Sequence, residues 1–375
     1  MKHDQKFLLR SLFLAILLGI GVVSSSYASK AIKNQQLQFV EISNISTGGD
    51  TFEVKVVEDL AYVIDMNAGF KILNVSDPFN PTLLGAFYDG GIPHEMFLDG
   101  DLAYIADHTN GLEILNISNP SNPTKIGQIR DTGDGEADGI FVANNRAYVA
   151  EWHDSTWSWK MLIIDVSDPS SPIKLAEYVD TDGEFLRFFT VGEVCYAACL
   201  NAGFKILNVS SPTNITEIGH YSDGGRAGNF QIIENTAYVA DGGDGLEILD
   251  VSDKKNPVEL GQYDTDYPVF DVQIIDDLAY IVEDVTGLKV LNISNPTSIT
   301  LLGSYTRTNV VGVYVQDNYV YLAQHGYGLQ IVKMEGITSI SSSTALSTSG
   351  WTLGMLISAL TVSILLWRLR RSKHH

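Results

Sequence analysis

A tyrosine, preceded in most copies by alanine, recurs at Tyr62, Tyr104, Tyr148, Tyr196, Tyr238, Tyr280 and Tyr321. Self-similarity at intervals of about 42 residues marks a repeat architecture and limits the available folds more than any other feature of the chain. Within each period an alternating segment (FEVKVV at 52–57, FQIIEN at 230–235) leads into a strand such as LAYVID at 60–65. A glycine follows, then a third segment (GFKILNVS at 69–76) and a fourth (PTLLGAFYD at 81–89). All are short, rich in Val, Ile and Tyr, and bounded by Gly, Asn and Asp-Pro turns, so they are expected to be strands and not helices. Four short strands in such a period make one propeller blade.

The first three strand types occur seven times, ending with VYVQD, YVYLAQ and GLQIVKM, but no fourth strand follows the last copy. Its equivalent, LQFVEIS, stands at 37–43 instead. The expected fold is therefore all-β: a seven-bladed propeller of four-stranded blades over residues 37–335, closed by the N-terminal strand, which removes free sheet edges.

The third strand with its turn, GFKILNVSDPFNP at 69–81, GLEILNISNPSNP at 111–123 and LIIDVSDPSSP at 162–172, resembles the LVIVD-repeat family of propellers. Most copies here carry Asn where that family commonly has Asp. The resemblance implies a propeller on an exported or surface protein, with no catalytic residues to carry over. The Gly-His and Trp-Asp signatures of the WD40 repeat do not recur through the repeats: Gly-His occurs once, at 219–220, and Trp-Asp not at all.

Both ends address a membrane. Residues 1–28 combine Lys2, Lys6 and Arg10 with a long apolar run and a small-residue finish, Ser26 and Ala28, which is the layout of a secretory signal. A Ser/Thr/Gly-rich linker at 336–350 precedes the apolar run 351–367 and the basic tail 368–375. That run is at the short limit for a transmembrane helix. Arg368, Arg370, Arg371 and Lys373 place the tail in the cytoplasm, so the propeller is expected at the cell surface on a single-pass anchor. The layout also resembles tripartite C-terminal sorting signals, but no LPxTG-like motif precedes the helix, and a retained anchor is the favoured reading.

The formal charge is −21 although both termini are basic, so the repeat body is strongly acidic. Such a surface repels phosphate backbones, and nucleic acid is not an expected partner. Cys195 and Cys199 fall in one strand, VCYAACL, too far apart along it to pair, and are expected to be small buried residues. Asn74, Asn116, Asn208 and Asn292 occupy one repeat position inside N-x-S sequons. Their Asn and Ser side chains suit the turn backbone, with glycosylation as the alternative.

The first strand begins, and the second ends, on the same face of the disc. At the first position the blades carry Glu53, Glu95, Gly139, Arg187, Asn229, Asp271 and Gly312. At the second they carry Asp65, Asp107, Glu151, Cys199, Asp241, Glu283 and Gln324. One face should thus present a polar, mainly acidic rim around the channel mouth, with His94, Asp138, His108 and His153 close by. The alternative is that the acids end the second strand and cap its turn. The segments DTGDGEAD at 131–138 and DTDGEF at 180–185 are expected to be loops. Asp131, Asp134, Glu136 and Asp138 offer the hard oxygens that calcium takes, and no other cofactor is expected. Blade three alone has an insertion, EWHDSTWSWK at 151–160, whose Trp152, Trp157 and Trp159 suit contact with a partner or packing onto the rim.

Two functions follow. The first is a non-enzymatic binding or adhesion propeller that engages an extracellular protein or glycan through the acidic face and the Trp loop. The second is an extracellular metal-dependent hydrolase, lactonase- or phytase-like, using His94, Glu95, Asp138 and Asp271, which would have to converge on one point. A structural spacer would be favoured by a packed Trp loop and a plugged channel. No HExxH or GxSxG motif supports catalysis.

Overall fold

In the computed structural model, seven sheets of four antiparallel strands stand around a common axis, each formed by consecutive strands except the last. The structure describes residues 37–130, 135–180 and 183–336. The expected signal at 1–28, the expected membrane span at 351–367, the tail 368–375 and all but the first residue of the linker lie outside them. Among the described residues no helix is long and apolar enough to cross a membrane.

The last sheet closes the ring as the strand count requires. Gln38–Ile45 pairs antiparallel with Gly328–Glu335, running from Gln38 opposite Glu335 to Ile45 opposite Leu329. The innermost strands are Thr51–Val57, Glu95–Asp99, Gly135–Ala143, Arg187–Val191, Asn229–Ile233, Val269–Ile275 and Val310–Gln316.

The Ala-Tyr pair has a packing reason. Successive side chains on a strand point to opposite faces, and both faces of a blade are covered by neighbouring blades. Ala61 and Val63 pack with Leu329 and Ile331 of blade seven, whereas Tyr62 and Ile64 pack with Met96 and Ile105 of blade two. Ala147 and Tyr148 repeat this division two blades on. Each apolar cluster thus joins two consecutive blades, and the hydrophobic effect holds the ring seam by seam. The glycine of the fourth strand permits the closest approach: a Cβ on Gly127 or Gly261 would collide with the carbonyl oxygen of Pro169 or Pro296 in the following blade.

The turn role of the repeated Asn is present. Asn74, Asn116, Asn208 and Asn292 each accept a bond from the backbone N–H of the serine two residues on, at 2.9–3.0 Å. Asp165 and Asp250 do the same in blades three and five. Both cysteines are free and buried, and burial pushes the Cys195 thiol up to about 12.

Two segments expected to be loops contribute to strands. EWHDSTWSWK extends the hairpin of blade three, whose strands Arg146–His153 and Ser158–Asp165 leave only Asp154–Trp157 as the turn. The second half of DTGDGEAD belongs to the inner strand Gly135–Ala143, with Glu136 opposite Trp152. Added residues on both arms of a hairpin can prolong its ladder, which satisfies backbone groups better than an irregular loop does.

Candidate functional site

Several residues expected at the first-strand position contact one another: Arg187 meets Glu95, Asn229 meets Asp271, and Arg187 feels the charges of Glu53 and Asp271 as well. Arg187 Nη1 lies 2.9 Å from Glu95 Oε2, so blade four reaches past blade three to blade two. Gly139, between them, lets the strands close up: a Cβ there would collide with the Leu186 carbonyl oxygen. Three carboxylates of this ring also latch onto the next blade. Glu53 accepts from Met96 N at 2.7 Å, Glu95 from Ile140 N at 2.6 Å, and Asp271 from Val313 N at 2.8 Å. Asp271 further accepts from Asn229 Nδ2 at 2.6 Å, and Glu53 pairs with Lys55 at 2.9 Å.

Burial raises Glu95 to about 7 against the pull of Arg187, and raises Asp271 to about 6. Burial opposes the charge on Arg187, but the carboxylates of Glu95, Glu53, Asp271 and Asp138 outweigh it and hold the guanidinium charged. The cation among these carboxylates is the chain's own arginine. One layer deeper, Phe97, Phe141 and Phe189 form a row with centroids 5.0 and 5.1 Å apart.

The second set of expected rim residues is not on the rim. Asp65, Asp107, Glu151, Cys199, Asp241, Glu283 and Gln324 are all buried between blades. Facing them from the third strand are Lys71 in blade one and Lys289 in blade six, bonded to Asp65 and Glu283 respectively. In blade four Lys205 bonds Asp180 of the preceding connection, where Cys199 offers no charge. Glu151 is bonded by His153 at 2.7 Å. The capping alternative holds locally, since Asp65 accepts from Asn67 N at 3.3 Å. For Asp65, Glu151 and Glu283 the main role is a buried charge pair, because an acid inside a seam needs a partner.

A row of rings crosses the same end of the molecule. Phe52 stacks on His94 and on His325, each at 5.7 Å, and His94 lies 5.3 Å from His108. His94 Nδ1 is 2.5 Å from Asp138 Oδ1, and His108 Nε2 is 3.1 Å from Glu136 Oε2. All four of these charged or polar side chains are partly exposed. Glu136 and Asp138 are thus each bonded to a histidine. Asp131 and Asp134 lie outside the described residues. Phe52 and His325 were not singled out from sequence; their shared seam between blades seven and one shows only after ring closure.

The Trp hairpin rises beside this row. Trp152 stands opposite Trp159, with ring centroids 5.4 Å apart, and its Nε1 donates to Asp154 at 2.7 Å. Trp159 packs against the core of the seam between blades three and four. Trp157 meets the edge of Trp152 at 5.9 Å and remains 81% exposed.

The four groups an enzyme would need, His94, Glu95, Asp138 and Asp271, separate into different partnerships. His94 holds Asp138; Glu95 goes to Arg187 and Ile140 N; Asp271 goes to Asn229 and Val313 N.

Two further acidic clusters escaped the sequence reading: Asp89, Asp107 and Glu113 in blade two, and Asp223, Asp241 and Glu247 in blade five. Each is written as Asp-Gly-Gly, then Asp, then Glu, at identical spacing, with Glu at the position that is lysine in blades one, four and six. In blade two Lys125 of the fourth strand lies 2.6 Å from Asp89 and 3.0 Å from Glu113. Burial and the neighbouring Asp89 still raise Glu113 to about 8.

Comparisons with known proteins agree with this geometry. A search of curated proteins finds no match. The crystal structure of the computationally designed Ika8 protein is similar in fold, with a TM-score of 0.57 at 8% identity over 80% of this chain and 100% of that one. Raptor from Chaetomium thermophilum superposes with a TM-score of 0.62 at 9% identity, covering 82% of this chain but only 30% of that protein. At such identities the likeness speaks for the propeller fold alone. The LVIVD repeat model matches seven segments, 48–89, 90–131, 134–181, 191–223, 224–265, 269–307 and 309–347. The chain is a seven-bladed propeller that belongs to the LVIVD repeat family.

Proposed function

We propose that this chain is an extracellular binding propeller, exported by residues 1–28 and held at the membrane through residues 351–367, that engages a protein or glycan with the face of blades two and three. The observation that carries this reading is Trp157, 81% exposed at the tip of a hairpin longer than those of the other blades. An indole in water beside a second indole offers a large apolar surface for stacking on a sugar ring or filling a partner's pocket. The neighbouring His94–Asp138 and His108–Glu136 pairs add hydrogen-bonding groups for hydroxyls or amides. The carboxylates at the axis are taken up by Arg187, Asn229 and backbone amides, which favours binding over hydrolysis. A spacer would have no use for the exposed indole.

The test is binding of the full-length protein to a glycan array and to purified surface proteins, with Trp157→Ala beside the wild type and melting curves as the folding control. Retention should fall at least about tenfold in the variant with little change in melting, as for a central aromatic contact. Ligands retained equally by both proteins would overturn the reading of this patch. Proteolysis of intact cells tests display separately: the propeller should be cleaved or shed, and full protection would refute surface exposure.

A further inference from the structure

Each seam between blades contains the same three positions: a residue of the incoming connection, the residue ending the second strand, and a third-strand residue that reaches back to it. Asp89, Asp180 and Asp223 align at the first of these, each two residues beyond the partner of an equivalent third-strand residue (Phe87 of Phe70, Tyr178 of Met161, Tyr221 of Phe204). Lys71, Glu113, Lys205, Glu247, Lys289 and Gln330 align at the third, where blade three has Leu162. In blades one, four and six the third position is lysine, bonded to a buried acid. Blade seven uses a neutral pair, Gln324 and Gln330, and places Arg307 within 3.4 Å of Gln324. Blade two replaces the lysine with Glu113 but supplies Lys125 from the fourth strand. Blade five has Glu247 at the lysine position and Glu259 where blade two has Lys125.

The seam between blades four and five therefore carries Asp223, Asp241 and Glu247 with no Lys, Arg or His ion-paired to any of them among the described residues. Asp241 and Glu247 are only 3% and 2% exposed. Asp241 Oδ1 and Glu247 Oε1 are buried without a hydrogen-bond partner, inside the cluster. Such atoms cost the full loss of hydration unless something binds them. The ligand oxygens of the three residues lie within 4.8 Å of one another. Two oxygens on opposite sides of a calcium ion are at most about 5 Å apart, since each sits about 2.4 Å from the metal. Asp223 is exposed, which gives an ion and its remaining waters a way in, and Gly225 packs against the Asp241 carboxylate where a Cβ would collide with it.

We propose that blade five binds a divalent cation, calcium by its all-oxygen donors, between Asp223, Asp241 and Glu247, where it does the work that a lysine does in blades one, four and six. The ion ties the connection leaving blade four to the second and third strands of blade five. It is independent of the Trp hairpin and of any ligand bound there.

The test is calorimetric titration of calcium into the chelator-treated full-length protein, with melting curves in calcium and in chelator. The wild type should bind calcium at this site and melt several degrees higher with it, because a ligand held only by the folded state raises the transition. Glu247→Lys restores the residue found in the other seams, so it should melt at or above the chelated wild type and lose the calcium response. Asp241→Asn should lose the same response. No calcium-dependent shift in the wild type, or an equal shift in both variants, would overturn the proposal.

Discussion

Arg187 of blade four and Glu95 of blade two meet across the end of the axis, 2.9 Å apart, over the gap left by Gly139 of blade three. Removing the guanidinium leaves Glu95 without its ion-pair partner beside Glu53, which keeps Lys55, and Asp271. Breaking a buried pair on one side costs about 3–5 kcal/mol, so Arg187→Met should lower the melting temperature of a domain this size by roughly 5–8 °C. The double variant Arg187→Met with Glu95→Met removes both charges and should melt above the single variant. A double variant that melts lower still would show that the pair does not act as a unit.

The close approach at Gly139 is a second point of fracture. Alanine there would drive a methyl group into the Leu186 carbonyl, and the adjacent blades would have to separate. Gly139→Ala should destabilise by about 2 kcal/mol or more, as overpacking does. Gly192→Ala, at a turn where an added Cβ meets no other atom, should cost less, only the strain of its positive φ. Chemical denaturation of both variants compares the two costs, and equal losses would refute the contact argument.

Stability should fall as pH rises through neutrality. Burial lifts Glu95 to about 7 and Glu113 to about 8 from an ordinary 4.5. Between the ordinary and the raised values the folded chain holds protons that the unfolded chain has released, so their contribution is fully present at acid pH and lost by about pH 8. In chelator, melting temperature should decline from pH 5.5 to 8.5, and Glu113→Gln should flatten that decline. A rise over the same interval would contradict the argument.

At the repeated turn, Asn116→Ala removes the acceptor for Ser118 N and should cost about 1 kcal/mol. Asn116→Asp should cost little, because Asp165 and Asp250 already perform the same task in blades three and five. Thermal melts of the two variants decide this, and an Asp variant as weak as the Ala variant would remove the turn explanation.

Deleting residues 37–45 should leave Gly328–Glu335 as an exposed edge and uncover Leu37's contacts with blade six. The truncated chain should self-associate in size-exclusion chromatography, as open edges do. A monomer with unchanged melting would show that closure contributes nothing.

The ring, the seven blades and the closing strand were legible because a periodic pattern repeats the same local physics seven times. The Asn74 and Asn116 turns were legible for the same reason. The partners of Asp65, Asp107 and Asp241 were not. Their position is periodic, but Lys71 answers Asp65 directly, Lys125 of a different strand answers the neighbouring Asp89 and Glu113 and not Asp107 itself, and among the described residues no cation is ion-paired to Asp241. Counting acids at one strand end suggested a solvated rim, whereas the seam buries them and makes pairing the deciding term. EWHDSTWSWK was misjudged because two arms of equal added length look like a loop until they are set opposite each other. His325 and Phe52 lie far apart in sequence and become neighbours only through closure.

Closure also decides how the molecule bears load. The chain leaves the ring after Glu335, from a strand flanked on one side by Gln38–Ile45 and on the other by Tyr319–Gln324. A pull transmitted along that exit runs parallel to the strand, so two hydrogen-bonded ladders must slip together instead of one edge peeling bond by bond. A pull applied at Glu335 would therefore be met in shear by the whole of blade seven, a mechanical clamp that exists only because Gln38–Ile45 lies beside Gly328–Glu335.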